Sequence, residues 1–353
     1  MRKRPYRARS NEEGFILVIV LLVIALLFPL VLAFNSKVQL NLTQAENFRN
    51  SVQALRIARS GVQGAIGILK TSDPTYDSPR SPWATSFPAL SLGQGILAVT
   101  IADEDGKIPV NNLVITSSPA GTGAANPAAG APATPASPTV ATQANTNTPV
   151  TQTVDKDLDT RLRALITTLG GRPEIVDALI DWIDADDVVT GSAGAEESYY
   201  LPLGYHCKNG PLDSLDELLL IRGFDRELVI DRNLEGYLTV APTDGKINVN
   251  TAPIEVLQAV LGTQTTSLAQ PLSDADIEDL VHYRDEHDLR AISDIMAVKL
   301  SQGDLSKITP LIKVNSSFFT VTSKYTIGKV VKNVQAMLRR SGSTVSIISW
   351  RES

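Results

Sequence analysis

The densest run of chemically capable side chains lies between Asp181 and Glu197, DWIDADDVVTGSAGAEE. It holds six carboxylates (Asp181, Asp184, Asp186, Asp187, Glu196, Glu197) and no lysine or arginine. Like charges on one loop repel, and a hard divalent cation relieves them. Ca²⁺ takes about 6–8 oxygens from flexible loops of this kind. The spacing is not that of an EF-hand, because no Glu falls at the twelfth position from Asp184. The competing reading is a solvated acidic loop that closes two helices. Zinc is not indicated, since His206 and Cys207 are adjacent and poorly spaced for one metal. His282 and His287, five apart, do not share a helix face well and read as exposed. There is no G-x-S-x-G, P-loop or H-E-x-x-H motif and no nucleophile–base pair, so the expectation is a protein that is not an enzyme.

A second chemical signal is the Gly14-Phe15 dipeptide. Before it stands a polar leader with five basic residues (Arg2, Lys3, Arg4, Arg7, Arg9) and two acids (Glu12, Glu13). Behind it, Phe15 to Phe34 is 20 residues without a charge. As a helix this run is roughly 30 Å long, the thickness of a bilayer's hydrocarbon core. The basic leader holds its end on the cytoplasmic side and sends the rest of the chain outside. Three readings compete: a permanent anchor, a secretory signal cut after Val31-Leu32-Ala33, and a leader cut between Gly14 and Phe15 that leaves the apolar helix in place. The secretory signal fits worst, because its apolar core is usually about 7–15 residues.

These residues need elements to position them. Val38, Leu42, Ala45, Phe48, Val52, Leu55, Ala58, Val62, Ala65, Ile66 and Leu69 recur at threes and fours, so the first helix continues to about Lys70. Its stripe suits packing on a sheet or on a partner helix. Gly95–Ile101 and Lys107–Leu113 read as strands joined by the turn Asp103-Glu104-Asp105-Gly106, a hairpin. Asp105-Gly-Lys-Ile-Pro-Val-Asn111 is echoed at Asp244-Gly-Lys-Ile-Asn-Val-Asn250. The echo is either a duplication or two uses of one strand-then-Asn device. Residues 117–153 carry no charge and are dominated by Ala, Pro, Thr, Gly, Asn, Ser and Gln. Such a run buries too little apolar surface to order itself.

From Asp155 to about Pro310 the pattern is helical. Leu158 to Leu169 is amphipathic and stops at Gly170-Gly171; Pro173 opens a helix carrying Ile175 to Ile183. Ser214 with Glu217 reads as a capping box, and helices start near Asn250-Thr251 and at Ser273. Beyond Leu311, Ser317–Ile327, Lys329–Leu338 and Thr344–Trp350 are strands separated by turn residues, completing a sheet begun near residue 93. Net charge is −6, which argues against general nucleic-acid binding, and Cys207 is the only cysteine, so no internal disulfide forms.

Four motifs follow one another in order: the D-W-I-D-A-D-D block around Trp182, G-A-E-E-S-Y-Y (Gly194–Tyr200), N-G-P-L-D-S-L-D-E-L-L (Asn209–Leu219) and K-I-N-V-N-T-A-P (Lys246–Pro253). With Gly14-Phe15 and the apolar helix, the chain resembles the K-type minor pseudopilin of the type II (general) secretion pathway. The resemblance runs from Gly14 to the end, apart from the Ala/Pro/Thr-rich insertion. Most pilins carry Glu at the fifth mature position; here Ile19 stands there. A carboxylate in lipid needs a partner, and in the family it is thought to meet the amino terminus of a neighbouring subunit. A subunit lacking it resembles one with no subunit above, at a filament tip.

The resemblance implies an α+β, pilin-like fold: a long N-terminal helix on an antiparallel sheet, with a large helical domain inserted between strands. The expected divisions are a leader (1–14), a transmembrane and assembly helix (15–34), an opening pilin-like segment (35–116), a low-complexity insertion (117–153), an inserted helical domain (154–310) and a closing pilin-like segment (311–353). It implies structural Ca²⁺ held by Asp184, Asp186, Glu196 and Glu197, with Asp181 and Asp187 as substitutes. It implies cleavage after Gly14 by prepilin peptidase and methylation at Phe15. The implied place is a single span in the inner membrane of a Gram-negative bacterium, with the C-terminal domain in the periplasm. The implied partners are the I-type and J-type minor pseudopilins and the inner-membrane assembly platform, at the tip of a pseudopilus that exports folded proteins, with no nucleic acid.

One alternative stands beside this. Residues 246–298 resemble a helix-hairpin-helix module, as in a membrane-anchored DNA receptor. Against it, the hairpin Leu261–Leu268 has one glycine and no flanking base, and the next helix carries Asp274, Asp276, Glu278 and Asp279.

Overall fold

The computed structural model describes residues 12–85, 89–117, 151–298 and 302–353. Most of the leader and residues 118–150 of the insertion lie outside the described residues. In chain order the elements are α1 (Glu12–Thr71), β1 (Leu90–Leu92), β2 (Gly95–Asp103), β3 (Ile108–Pro109), β4 (Val114–Ser117), β5 (Thr151–Val154), α2 (Lys156–Thr168), α3 (Ile175–Ile183), α4 (Glu197–Tyr200), β6 (Leu238–Thr239), β7 (Ile247–Asn248), α5 (Ile254–Leu261), α6 (Asp274–Glu286), α7 (Gln302–Ile308), β8 (Ile312–Lys313), β9 (Phe318–Ile327), β10 (Val330–Ser341) and β11 (Thr344–Glu352).

α1 is 60 residues long and continuous through Pro29. Its apolar window has a mean hydropathy of 3.5 and none of it is buried. Burial begins only at Ala54, then continues at Ala58, Val62, Ala65, Ile66 and Leu69. The stripe read from the sequence therefore divides. Its C-terminal half is the spine of the sheet; Val38, Leu42 and Phe48 stay on exposed helix, with Phe48 74% exposed. Gly61 sets how closely the spine approaches, because a Cβ there would lie 2.2 Å from Ser323 Oγ on β9.

Five antiparallel strands in the order β1-β2-β9-β10-β11 form the sheet under this spine. Phe319, Val321, Tyr325, Val334, Ala336 and Leu338 face α1 and share one core with Trp83. A second, larger core belongs to the helical block. The fold is thus α+β and pilin-like, as read from the sequence, with β2 and β9 adjacent in the sheet although the helical block separates them in the chain.

Three local expectations change. The hairpin after β2 does not form: β3 is two residues long and pairs in parallel with β6. The acidic turn instead goes inward, because Asp105 is fully buried and its carboxylate accepts from Lys313 Nζ (2.8 Å) and the Phe318 amide (3.0 Å). The borders of the low-complexity run are ordered, since β4 and β5 pair from Val114–Val154 to Ser117–Thr151. Asn250 does not cap α5, which starts after Pro253.

Asn250 has another task, and it settles the meaning of the echo. Its Oδ1 accepts from the Leu289 amide (3.1 Å) and its Nδ2 donates to the Leu289 carbonyl (2.8 Å). Asn111 treats Leu212 identically, at 2.7 and 3.0 Å. Each leucine precedes a 3₁₀ helix, Leu215–Leu220 or Ile292–Ala297. An acid then holds the two amides before each: Glu217 those of Asp213 and Ser214, Asp294 those of Arg290 and Ala291. The strand pairs match too, β3 with β6 and β7 with β8. The helical block is a duplication, with α2 and α3 in the first copy and α5 and α6 in the second.

Where the block meets the sheet, polar groups are buried together. Asp103 accepts from Ser316 Oγ (2.6 Å), Thr251 Oγ1 (2.5 Å) and Asn248 Nδ2 (3.1 Å). Asn248 Nδ2 also reaches the Asp77 carbonyl, and Arg340 pairs with the Asp77 carboxylate. Burial, then the charge of Asp105, pushes Asp103 up to about 7, against the hydrogen bonds it accepts. A carboxyl raised in the folded state contributes stability that is whole below its unfolded pKa and is lost as pH rises through about 7. Asp103→Asn removes that ionisation. Its unfolding free energy relative to wild type should therefore rise between pH 4 and pH 8, measured by denaturant unfolding of the two chains in parallel. A flat difference across that range would show that Asp103 ionises freely.

Candidate metal centre

The acidic loop sits in the first copy of the duplication only. The second copy passes from α6 to Leu289 through residues 287–288, whereas the first inserts 184–211 between α3 and Leu212. Two buried carboxylates of α3, Asp177 and Asp181, lie one turn apart on one face. Asp181 accepts from the Thr190 amide (2.9 Å). Asp177 accepts from the Ser192 amide (3.1 Å) on one oxygen and from Arg163 Nη2 (2.6 Å) on the other. The loop is thereby fastened back onto the helix that launches it. Gly194 lets it pass, because a Cβ there would lie 2.4 Å from Asp181 Oδ2.

This return brings Glu196 opposite the end of α3. Asp184 is the C-cap of that helix. Asp184, Asp186 and Glu196 each offer an oxygen within 4.8 Å of the others. Asp184 and Glu196 are buried, at 7% and 3% exposure. Asp184 Oδ1 and both oxygens of Glu196 are buried with no hydrogen-bond partner. Buried carboxylates without partners are costly. Burial first, then the neighbouring carboxylates, pushes Asp184 and Glu196 each up to about 7. Three converging anionic oxygens, two of them on nearly dehydrated groups, suit a hard cation such as Ca²⁺.

Of the residues named from the sequence, Glu197 lies apart from this cluster. It opens α4 and turns away: one oxygen pairs with His206 Nδ1 and the other accepts from the Cys207 amide (2.9 Å). Asp181 holds the loop, and Asp187 is exposed beside the cluster. Cys207 is a half-buried thiol, pushed by burial to about 11, with Sγ 3.5 Å from the Asp181 carbonyl. Below the loop, Trp182 packs edge-on against Tyr200 at 5.1 Å. Asp177 was missed in the sequence, although its spacing from Asp181 and from Arg163 on the preceding helix carried the signal.

Residues 106–243, which span the acidic loop, match the family model of type II secretion system (T2SS) protein K. Type II secretion system protein K of Pseudomonas aeruginosa is 27% identical over 268 residues, 71% of this chain and 69% of the relative. That of Pectobacterium carotovorum subsp. carotovorum is 29% identical over 201 residues, 53% of this chain and 57% of the relative. The chain is similar to type II secretion system protein K, the K-type minor pseudopilin. The GspK-GspI-GspJ complex from enterotoxigenic Escherichia coli contains a chain of the same fold, with a TM-score of 0.62, 19% identity, and coverage of 88% of this chain and 99% of that one. The DNA-receptor alternative finds no support in these comparisons, and α6 carries Asp274, Asp276, Glu278 and Asp279 on its first two turns.

In this chain the carboxylate cluster should weaken the fold when no cation is supplied. Asp184→Asn in chelator at pH 8 should raise stability by about 1 kcal/mol or more, because one buried charge is removed. With millimolar Ca²⁺ the same variant should be the less stable chain. Calorimetric melting in the two buffers checks both signs.

Proposed function

We propose that this chain is a structural subunit at the tip of a short periplasmic pseudopilus, where it starts assembly for the export of folded proteins across the outer membrane. The observation that carries this reading is the division of α1. Its first half is apolar and unburied, and its second half is the spine of the sheet. One helix can thus sit in the inner membrane as a single span and later pack against other subunits in a filament. Ile19, 46% exposed, leaves the fifth mature position without a carboxylate to receive a subunit above it.

On this reading prepilin peptidase cuts between Gly14 and Phe15, and Phe15 is then methylated. The helical block, duplicated and bulky, is an insertion into an otherwise pilin-like domain and suits a cap better than a repeating filament position. The assembly platform of the inner membrane lifts the subunit. The I-type and J-type minor pseudopilins join it at the tip; in the similar complex from enterotoxigenic Escherichia coli, GspI and GspJ stand beside GspK. Asp184, Asp186 and Glu196 hold a structural Ca²⁺, and the ion's contribution is to hold the returning loop against α3.

Two measurements test this reading. Mass spectrometry of the chain from cells should show an N-terminus at Phe15 with one added methyl; a start at Met1 would overturn the filament role. Removing Ca²⁺ with chelator should lower the melting temperature by about 5 °C or more, the shift expected from losing a ligand held at about 100 times its Kd. An unchanged midpoint would remove calcium from the account.

A further inference from the structure

The three carboxylates close only a fraction of a coordination sphere. A calcium site needs about 6–8 oxygens, and a fourth carboxylate would add charge to three that already offer oxygens within 4.8 Å of one another. A neutral oxygen would not.

The stretch 207–210 runs along the end of α3 and supplies a candidate. Cys207 Sγ lies 3.5 Å from the Asp181 carbonyl, and the Gly210 amide donates to the Trp182 carbonyl at 3.2 Å. Asn209 lies between them, and its Nδ2 donates to the Asp186 carbonyl at 3.4 Å. Its amide group is therefore beside the turn that carries Asp184 and Asp186. Its Oδ1 is buried and has no hydrogen-bond partner, the same condition as Asp184 Oδ1 and the two oxygens of Glu196. The backbone at Asn209 is left-handed, with φ +47°, one of two non-glycine residues in that region among the described residues. Such backbone costs about 1–3 kcal/mol and clusters at ligand sites. Asparagine tolerates it best among side chains that bear a carbonyl oxygen.

We propose that Asn209 Oδ1 is a further ligand of the cation, a neutral oxygen supplied from across the loop. This rests on the calcium reading above. Both α3 and its loop would then be tied through the ion to the stretch that leads into Leu212 and the 3₁₀ helix Leu215–Leu220. The ion joins the two ends of the insertion as well as its middle.

The test is calcium titration by calorimetry on the full chain in detergent, with Asn209→Gly and Asn209→Asp beside wild type and Asp184→Asn. Glycine keeps the left-handed backbone without strain and removes the oxygen. Asn209→Gly should bind Ca²⁺ about tenfold or more weakly, while its melting point in chelator stays at or near that of wild type. Asn209→Asp retains an oxygen but loses the donor to Asp186; its added charge should lower the melting point in chelator, and the cation offsets that charge, so it should bind at least as tightly as wild type. Affinity of Asn209→Gly within twofold of wild type would overturn the inference and leave the calcium reading intact. Equal weakening in Asn209→Asp would also overturn it, by assigning the effect to the lost donor. Should Asn209→Gly fail to fold, Asn209→Asp decides alone: affinity at or above that of wild type supports the inference, and affinity weakened about tenfold overturns it. Absence of calcium binding by wild type would defeat the calcium reading itself, and Asp184→Asn should abolish binding if that reading holds.

Discussion

The structure depends on a buried polar junction between the sheet and the helical block. Asp77, Asp103 and Asp105 enter it from the pilin-like side; Asn248, Thr251 and Lys313 enter from the block. Ser316, just before β9, and Arg340 on β10 close it where the sheet resumes. Buried charges must be paired or hydrogen-bonded, and removing one partner leaves the other uncompensated. Apolar packing between two such units would permit sliding. A network that names its partners atom by atom permits one arrangement, and the chain can leave the sheet after β2 and rejoin it at β9 in register.

The same logic operates twice within the block. Asn111 and Asn250 each hold both backbone groups of one leucine, so each half is closed by one side chain. Lys313 bridges the start of both halves through Asp105 and Asp244. Only the first half opened to admit a loop. The loop returns because Asp177 and Asp181 offer acceptors to its amides, and its return leaves Asp184 and Glu196 buried without partners. The electrostatic strain of the site is a product of the same helix that orders it.

The long helix carries two kinds of surface. A stretch apolar all round has no face to present to a single sheet, and it is exposed along its length. An amphipathic stretch has one, and Gly61 lets it approach β9 closely. The transition is set by composition along one continuous helix, with no hinge required.

Periodicity and caps made much of this legible before any coordinates. The apolar run, the helices bounded by Gly170-Gly171 and Pro173, the capping boxes at Ser214 and Ser273 and the three final strands follow from local rules, because each is stabilised within a few residues of itself. Six carboxylates without a base marked the acidic loop as a place where like charges need relief. What tertiary structure alone decided was the partner of each polar group. The turn at Asp103 to Gly106 has hairpin composition, yet it turns inward because Lys313, some two hundred residues later, takes Asp105. Glu197 matches a ligand by motif, yet His206 and the Cys207 amide hold it elsewhere. Asn209 carries no local mark of its nearness to the cluster. Sequence determines which groups need a partner; only the packed chain determines which partner comes within reach.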